Sequence, residues 1–186
     1  MSVTRVASRY AKSLLELAVE KGILKEVHQD MQQLLSVVAS NRDFALLLKS
    51  PIVKSDVKAK VVKEVFSKFA QELTLTFFDI VSRKNREDIL TDIAKEFHGQ
   101  YNIHQDIQVA ELTTTFEIND DLRKAFEAAV KEISGRSKVE LVEKIDKDII
   151  GGFVLKVNDR QLDESMSSKL KALRLEFSSN HYEKRF

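Results

Sequence analysis

The sequence predicts a mainly α protein, with an N-terminal six-helix bundle followed by a small α+β C-terminal domain. Apolar residues recur at steps of three and four through the first hundred positions, which is the spacing of amphipathic helices. Near residue 105 this pattern gives way to alternation over stretches rich in Val, Thr and Phe, which is typical of strands. We therefore expect two domains, residues 1–105 and 106–186.

Punctuating residues separate the expected helices of the first domain. Gly22 is placed to end the first helix, Asn41 to cap the third and Ser55 to cap the fourth. Residues 73–81 open with strand-like alternation but also fit one helical face, and we assign them to the fifth helix. Asn85 is expected to open the sixth helix. The apolar positions expected in the second and fourth helices are Ile23, Val27, Met31, Leu34, Val38, Val57, Val61, Val65 and Phe69.

Three strands and two helices are expected in the second domain. The strands cover residues 107–116, 139–145 and 153–157. Asn119 or Asp120 is expected to cap the helix between the first two strands, and Gly135 to end it. A last helix begins at Asp163 or Ser165 and carries on one face Met166, Leu170, Leu173 and Phe177.

Composition excludes several classes of protein. The net charge is only +1, and basic and acidic residues alternate along the chain, so we expect no nucleic-acid partner, which would require a clustered basic surface. The absence of cysteine excludes disulfides and thiolate chemistry. No apolar run is long enough to span a membrane, and the first residues do not resemble a secretory signal. The protein is expected to work where it is made.

No motif in the sequence predicts catalysis, a cofactor or a metal site. Residues 146–151 resemble a calcium loop only faintly, because Val157 stands where the loop needs a closing Glu. Gly151 and Gly152 precede a strand, so they favour a bend over a phosphate loop, and residues 134–137 lack the context of a nucleophile elbow. No helical metal-site spacing is found among His28, His98, His104 and His181.

The first helix has a wider apolar surface than a bundle helix normally needs. Its polar residues lie in a narrow sector opposite Ala7, while apolar residues cover most of the remaining circumference. One explanation is a central, enclosed helix. The other is a groove that receives a helix of a partner, with Phe77, Phe78 and Ile80 of the fifth helix forming the opposite wall. Periodicity alone does not decide between them.

The sequence resembles the delta subunit family of F-type ATP synthases, called the oligomycin-sensitivity-conferring protein in mitochondria. The residues that match its first-helix signature are Ala7-Ser8-Arg9-Tyr10-Ala11-Lys12-Ser13-Leu14-Leu15-Glu16-Leu17-Ala18, with Gly22 in place. Further matches are Ser50-Pro51-Ile52, Arg86, Ile145-Asp146, Ile149-Ile150-Gly151-Gly152-Phe153-Val154-Leu155, Asp159, Asp163, Ser165 and Leu170. Departures from the usual pattern are Ser50, Lys147 and Asn158, which affect turn stiffness.

This resemblance implies a structural function without catalysis. In the family, the N-terminal domain grips N-terminal helices of the alpha subunits, one of them in a groove between the first and fifth helices. The C-terminal domain engages the C-terminal ends of the b subunits. The chain would thus link the catalytic head to the peripheral stalk, as part of a heteromeric complex at the cytoplasmic face of the bacterial cell membrane and not as a homo-oligomer. We place the groove at Val6, Tyr10, Ser13, Leu17, Phe77, Ile80 and Lys84.

Two alternatives are compatible with periodicity. A free-standing helical adaptor would show the same pattern, and co-purification with alpha, beta and b subunits would separate it from a synthase subunit. A small transferase or hydrolase that uses the C-terminal domain would need a cleft with perturbed polar groups, for which the sequence offers no candidates.

Overall fold

The computed structural model describes residues 3–178, and the chain divides into two units, residues 1–104 and 105–186. The first unit is helical. Its six α-helices are α1 (Val3–Glu20), α2 (Leu24–Ser40), α3 (Arg42–Lys49), α4 (Ser55–Phe66), α5 (Glu72–Arg83) and α6 (Leu90–His104). A short 3₁₀ turn, Glu87–Ile89, precedes α6. The fold class expected from the sequence is confirmed, and residues 73–81 are helical.

Helix α1 packs mainly against α6, which also packs against α2, while α4 packs against α5. Three of the five buried residues of α1 are alanines, and Ala7, Ala11 and Ala18 are fully buried, so neighbouring helices can approach closely at these positions. Gln100 of α6 fastens the pair by donating from its side-chain amide to the carbonyl oxygen of Ser8 at 3.0 Å. The larger fully buried side chains of this unit are Phe66, Phe97, Leu14, Met31, Leu34, Leu48, Leu90, Ile93, Val27 and Val62.

The expected helix starts are confirmed in one case and wrong in two. Asn41 caps α3, because its side chain accepts hydrogen bonds from the amides of Asp43 and Phe44. Ser55 does not cap α4; it is the first residue of that helix, and its hydroxyl donates to Asn85 Oδ1 at 2.6 Å. Asn85 takes a left-handed backbone conformation (φ 52°) in the turn after α5, which Asn tolerates better than most residues, and so does not open α6.

The buried face of α4 differs from the expected one. Of the expected positions, Val61 and Val65 are partly buried against the core, whereas Val57 and Phe69 are exposed. The fully buried residues are Val62 and Phe66, and α4 ends at Phe66. Lys58 is also buried, and its ammonium donates to the carbonyl oxygen of Leu48 at 2.9 Å. Adjacent apolar pairs on this helix allow two faces, and packing against α5 selects the face that carries Phe66.

Replacement of Gly99 in α6 by alanine is expected to stabilise the first unit. Gly99 lies inside the helix, it is exposed, and a Cβ built on it meets no atom within 4 Å. Gly99→Ala is expected to raise the free energy of unfolding of the first unit by about 0.5–1 kcal/mol, because alanine loses less backbone entropy in a helix. Urea denaturation followed by tyrosine fluorescence would measure this, and a destabilised variant would contradict the expectation.

The second unit is a four-stranded mixed sheet with two helices. Its elements are β1 (Ile107–Thr114), α7 (Asp120–Ser134), β2 (Lys138–Ile145), β3 (Phe153–Val157), β4 (Arg160–Asp163) and α8 (Met166–Ser178). The strand order is β2-β1-β3-β4, with β1 and β2 parallel and the other pairs antiparallel. The core lies between α7 and the sheet, around Val130, Ala110, Leu112, Leu155 and Val157. Gly135 ends α7 in a left-handed conformation, as expected.

Two details of this unit differ from the prediction. Strand β4 is missed, because its four residues are all exposed and show no apolar alternation; it pairs with β3 through a tight hairpin at Asn158, whose φ is 51°. Positive φ is required in such a turn, and Asn tolerates it. Asn158, which stands where the family usually has glycine, is therefore compatible with the hairpin. Asn119 precedes α7, but its side chain accepts no cap hydrogen bond.

Helix α8 has capping hydrogen bonds at its N-terminus, but its apolar side chains are exposed. Ser165 Oγ accepts from the amide of Ser168, and Asp163 accepts from the amide of Ser165 and the hydroxyl of Ser168. Hydrogen bonding by the side chain and the amide of Ser165, and by the hydroxyl of Ser168, holds the pKa of the Asp163 carboxyl below its usual value. None of the residues of α8 is buried. The face expected from the sequence is therefore solvent-exposed along Met166, Leu170, Leu173 and Phe177.

Candidate functional site

Helix α1 is not enclosed by its own bundle. On one flank, Leu15 is buried and Val19 is exposed. On the other flank, Val6 and Tyr10 are half-buried against the core and Leu17 has 44% of its surface exposed. An enclosed central helix would bury all of these positions. The second flank is thus an apolar surface that the first unit covers only in part.

Helix α5 lies across from this flank. The ring of Tyr10 meets the ring of Phe77 edge to face, with centroids 6.3 Å apart, a favourable aromatic geometry. Phe77 is 7% exposed, whereas Ile80, one turn further along α5, is 47% exposed. Lys84 is exposed at the C-terminal end of α5. Phe78 is no wall, as it is buried against the ring of Phe66.

A cavity of about 310 Å³ lies at this position. Three of the seven predicted groove residues, Val6, Tyr10 and Ser13, line it. Phe77 joins this group through its contact with Tyr10, while Leu17, Ile80 and Lys84 are exposed without lining the cavity. Two lining residues were not predicted, Arg9 and Arg86. The match of Arg86 to the family pattern was the signal in the sequence that could have identified it.

Other cavities of the first unit lie away from α1. The larger one, of about 460 Å³, lies between α4 and α5 and includes Lys60, Lys63 and Arg83. Another, of about 300 Å³, is lined by residues 49–58 and 85–88. Both have mixed charge and neither includes an aromatic residue of α1, so the α1–α5 flank remains the site that matches the predicted groove.

A buried carboxylate fixes the start of α5. Asp30 of α2 is 5% exposed, and its Oδ2 accepts from Thr74 Oγ1 at 2.6 Å and from the amide of Gln71 at 2.9 Å. Gln71 is the residue immediately before α5. Hydrogen bonds to a charged acceptor are stronger than neutral ones. Asp30 therefore positions the helix that forms one side of the groove.

Histidines that are distant in sequence meet in the fold. His28 Nε2 and His98 Nδ1 are 2.9 Å apart, and the ring of His28 stacks on that of Tyr101 with centroids 3.7 Å apart. The sequence placed these histidines on separate elements and gave no sign of the contact. Among residues 3–178, no three His, Cys, Asp or Glu side chains are grouped so as to hold a metal ion. Over the same residues, no helix is long and apolar enough to cross a membrane.

Comparison with known proteins shows the family. The model of the family described as ATP synthase delta (OSCP) subunit matches residues 6–177, which is nearly the whole chain. This chain belongs to the ATP synthase delta (OSCP) family. Members are structural subunits of the synthase, so the stalk-linking, delta-type function expected from the sequence is confirmed at this level.

Similar proteins agree over almost their full length. The ATP synthase subunit delta of Cytophaga hutchinsonii is 41% identical over 178 residues, covering 96% of this chain and 97% of the relative. The subunit delta of Amoebophilus asiaticus is 36% identical with the same coverage. A chain in the cryo-EM structure of the Toxoplasma gondii mitochondrial ATP synthase hexamer superposes with a TM-score of 0.74, covering 94% of this chain and 98% of that one. At 20% identity, that similarity supports the fold.

Proposed function

We propose that the first unit binds the N-terminal helix of the synthase alpha subunit in the groove between α1 and α5. The observation that carries this proposal is the exposed apolar flank of α1 opposite α5, with Tyr10 and Phe77 in contact at its centre. The groove comprises Val6, Tyr10, Ser13, Leu17, Phe77, Ile80 and Lys84.

The chemistry of this surface favours a helix as its occupant. Val6, Tyr10 and Leu17 follow one another at steps of four and seven on α1, which is how a helix presents anchors to a second helix. Burying such side chains stabilises a complex by about 25 cal/mol per Å² of apolar area, less the entropy lost on association. An amphipathic helix supplies a matching apolar stripe without leaving backbone groups unpaired.

The remainder of the proposal concerns the second unit and the setting. The second unit binds the C-terminal ends of the b subunits, and the exposed apolar stripe of α8 gives it a surface for a helical partner. The chain works in a heteromeric complex at the cytoplasmic face of the bacterial membrane, binds neither nucleic acid nor a cofactor, and contributes no catalytic residue of its own.

Ile80→Asp is expected to abolish binding of an alpha-subunit N-terminal peptide. Ile80 is partly exposed, and the substitution would place a charged carboxylate in the apolar contact with the peptide. Tyr10→Asp should have the same effect. Isothermal titration calorimetry measures the affinity, and circular dichroism verifies that each variant is folded.

Ile52→Asp is the matched control, because Ile52 is 90% exposed and lies outside the groove; its affinity should equal that of the unchanged protein. Unchanged affinity of a folded Ile80→Asp variant would refute the groove. Recovery of the full chain without alpha, beta and b subunits would favour the alternative of a free-standing helical adaptor.

A further inference from the structure

A histidine of α2 forms a hydrogen bond with a histidine of α6 where the two helices pack together. His28 Nε2 lies 2.9 Å from His98 Nδ1, and both side chains are half-buried. The ring centroids are 5.2 Å apart and the ring planes differ by only 11°. Nitrogens this close permit such a centroid distance only when the rings point at each other, so the rings lie end to end and nearly coplanar. One ring therefore donates a single N–H···N hydrogen bond and the other accepts it.

Asn102 sets the direction of this hydrogen bond. It is 3% exposed, and its side-chain amide nitrogen lies 3.3 Å from His98 Nε2. An amide nitrogen donates and does not accept, so His98 Nε2 is the acceptor and the hydrogen of that ring lies on Nδ1, directed at His28 Nε2. The ring of His28 also stacks on the ring of Tyr101, with centroids 3.7 Å apart. Each histidine thus has a donor directed at its unprotonated nitrogen.

The charges that α2 and α6 place beside the histidines are positive. Lys25 lies one turn before His28 and Lys95 lies one turn before His98, and both lysines are exposed. Residues three positions apart are neighbours on a helix, and like charges repel there. The acidic residues nearest in sequence are each two positions from a histidine, which is about 200° around the helix, and these are Glu26, Asp30 and Glu96.

The elements that pack against α2 and α6 direct their charges elsewhere. Helices α1, α3 and α5 make these contacts, and every Asp, Glu, Lys and Arg of the three helices is exposed. The buried Asp30 accepts from Thr74 of α5. The buried Glu87, in the 3₁₀ turn before α6, lines the cavity formed by residues 49–58 and 85–88. Both carboxylates that are buried in the described part of the first unit thus serve other contacts.

We infer that the His28–His98 pair is a pH-sensitive contact, which joins α2 to α6 near neutral pH and opens locally below about pH 6. The inference is independent of the proposed groove. Two histidines of an unfolded chain each take up a proton near about pH 6.5. The folded pair accepts a first proton only if the amide of Asn102 turns round, and a second proton would place two N–H groups face to face.

The sign of the pH dependence follows from this proton count. Below about pH 6 the unfolded chain binds more protons than the folded pair, so the stability of the first unit falls as the pH falls. Because both rings are half-buried, a doubly protonated pair can reach water by ring rotation. That rotation would break the contact of His28 with Tyr101 and loosen the joint between α2 and α6.

Urea denaturation of the full-length chain, followed by tyrosine fluorescence at about pH 7.5 and about pH 5.5, tests this inference. Between these two conditions the unfolding equilibrium constant of the first unit should rise about 3- to 10-fold more in the unchanged protein than in His28→Gln or His98→Gln. Comparison with the variants cancels the contribution of the carboxylates. His104→Gln is the matched control, because His104 is an exposed histidine of the same helix; this variant should keep the full pH dependence.

Imidazole ¹⁵N NMR of the unchanged protein keeps the test decisive if a glutamine variant does not fold. At about pH 5.5, His104 should carry hydrogen on both ring nitrogens, whereas in the folded chain His28 and His98 should together retain at least one unprotonated nitrogen. Two fully protonated rings with the Tyr101 contact intact would overturn the inference. The same pH dependence of unfolding in the unchanged protein and in both glutamine variants would overturn it as well.

Discussion

Gly152→Ala is expected to destabilise the second unit by about 3 kcal/mol. Gly152 has a φ of 78° at the start of β3, a conformation that is strained for residues with a side chain. An added Cβ would also overlap the carbonyl oxygen of Glu164. That oxygen cannot move away easily, because the amide of Glu164 donates to Phe153 O at 3.0 Å and the amide of Met166 donates to Gly151 O at 2.9 Å.

Hydrogen exchange followed by mass spectrometry would localise this effect. Peptides from β1 to β3 should lose protection in the Gly152→Ala chain, while peptides from the first unit keep theirs. Gly151→Ala is the matched control, because Gly151 lies outside the left-handed region and its Cβ would meet only the flexible side chain of Met166, at 3.3 Å. Equal protection in the two variants would contradict the steric explanation.

Asp30→Ala is expected to destabilise the first unit by about 2–4 kcal/mol. The substitution removes two hydrogen bonds to a buried carboxylate and leaves the hydroxyl of Thr74, which is fully buried, without its acceptor. The higher helix propensity of alanine offsets only about half a kcal/mol. Urea denaturation with tyrosine fluorescence reports this unit, because Tyr10 and Tyr101 both pack against its core.

A double-mutant cycle tests the origin of that loss. Thr74→Val removes the hydroxyl at similar volume, so the combination with Asp30→Ala should cost less than the sum of the single changes. Strict additivity would show that the two side chains are not coupled. Because Asp30 positions the start of α5, Asp30→Ala should also weaken binding of the alpha-subunit peptide, even though Asp30 itself does not line the groove cavity.

Local sequence patterns predicted the proposed groove only in part. The excess apolar surface of α1 predicted one side of a groove, and Val6, Tyr10 and Ser13 line one cavity; that a partner helix binds there stays a prediction. The pattern could not show that Phe78 is buried against Phe66 while Ile80 is exposed, since both positions are apolar. Arg9 and Arg86 lie far apart in sequence, and only the fold brings them to the same cavity.

Some features of the fold could not be predicted from local sequence patterns either. Strand β4 has no buried face and therefore no alternation that a sequence pattern could reveal. In α4, apolar neighbours allowed two helical faces, and the buried one is the face that meets α5. The contact of His28 with His98 joins α2 to α6, and periodicity, which describes each helix separately, carries no information about such a contact.

The sequence by itself determined the helical and strand periods, the change of period near residue 105 and the resemblance to the delta subunit family, because these depend on neighbouring positions and on motif spacing. The tertiary structure decided which apolar faces are covered, which charges share a cavity and why Gly152 must lack a side chain. Those properties depend on contacts between residues far apart in the chain. Such contacts exist only once the helices and strands have packed.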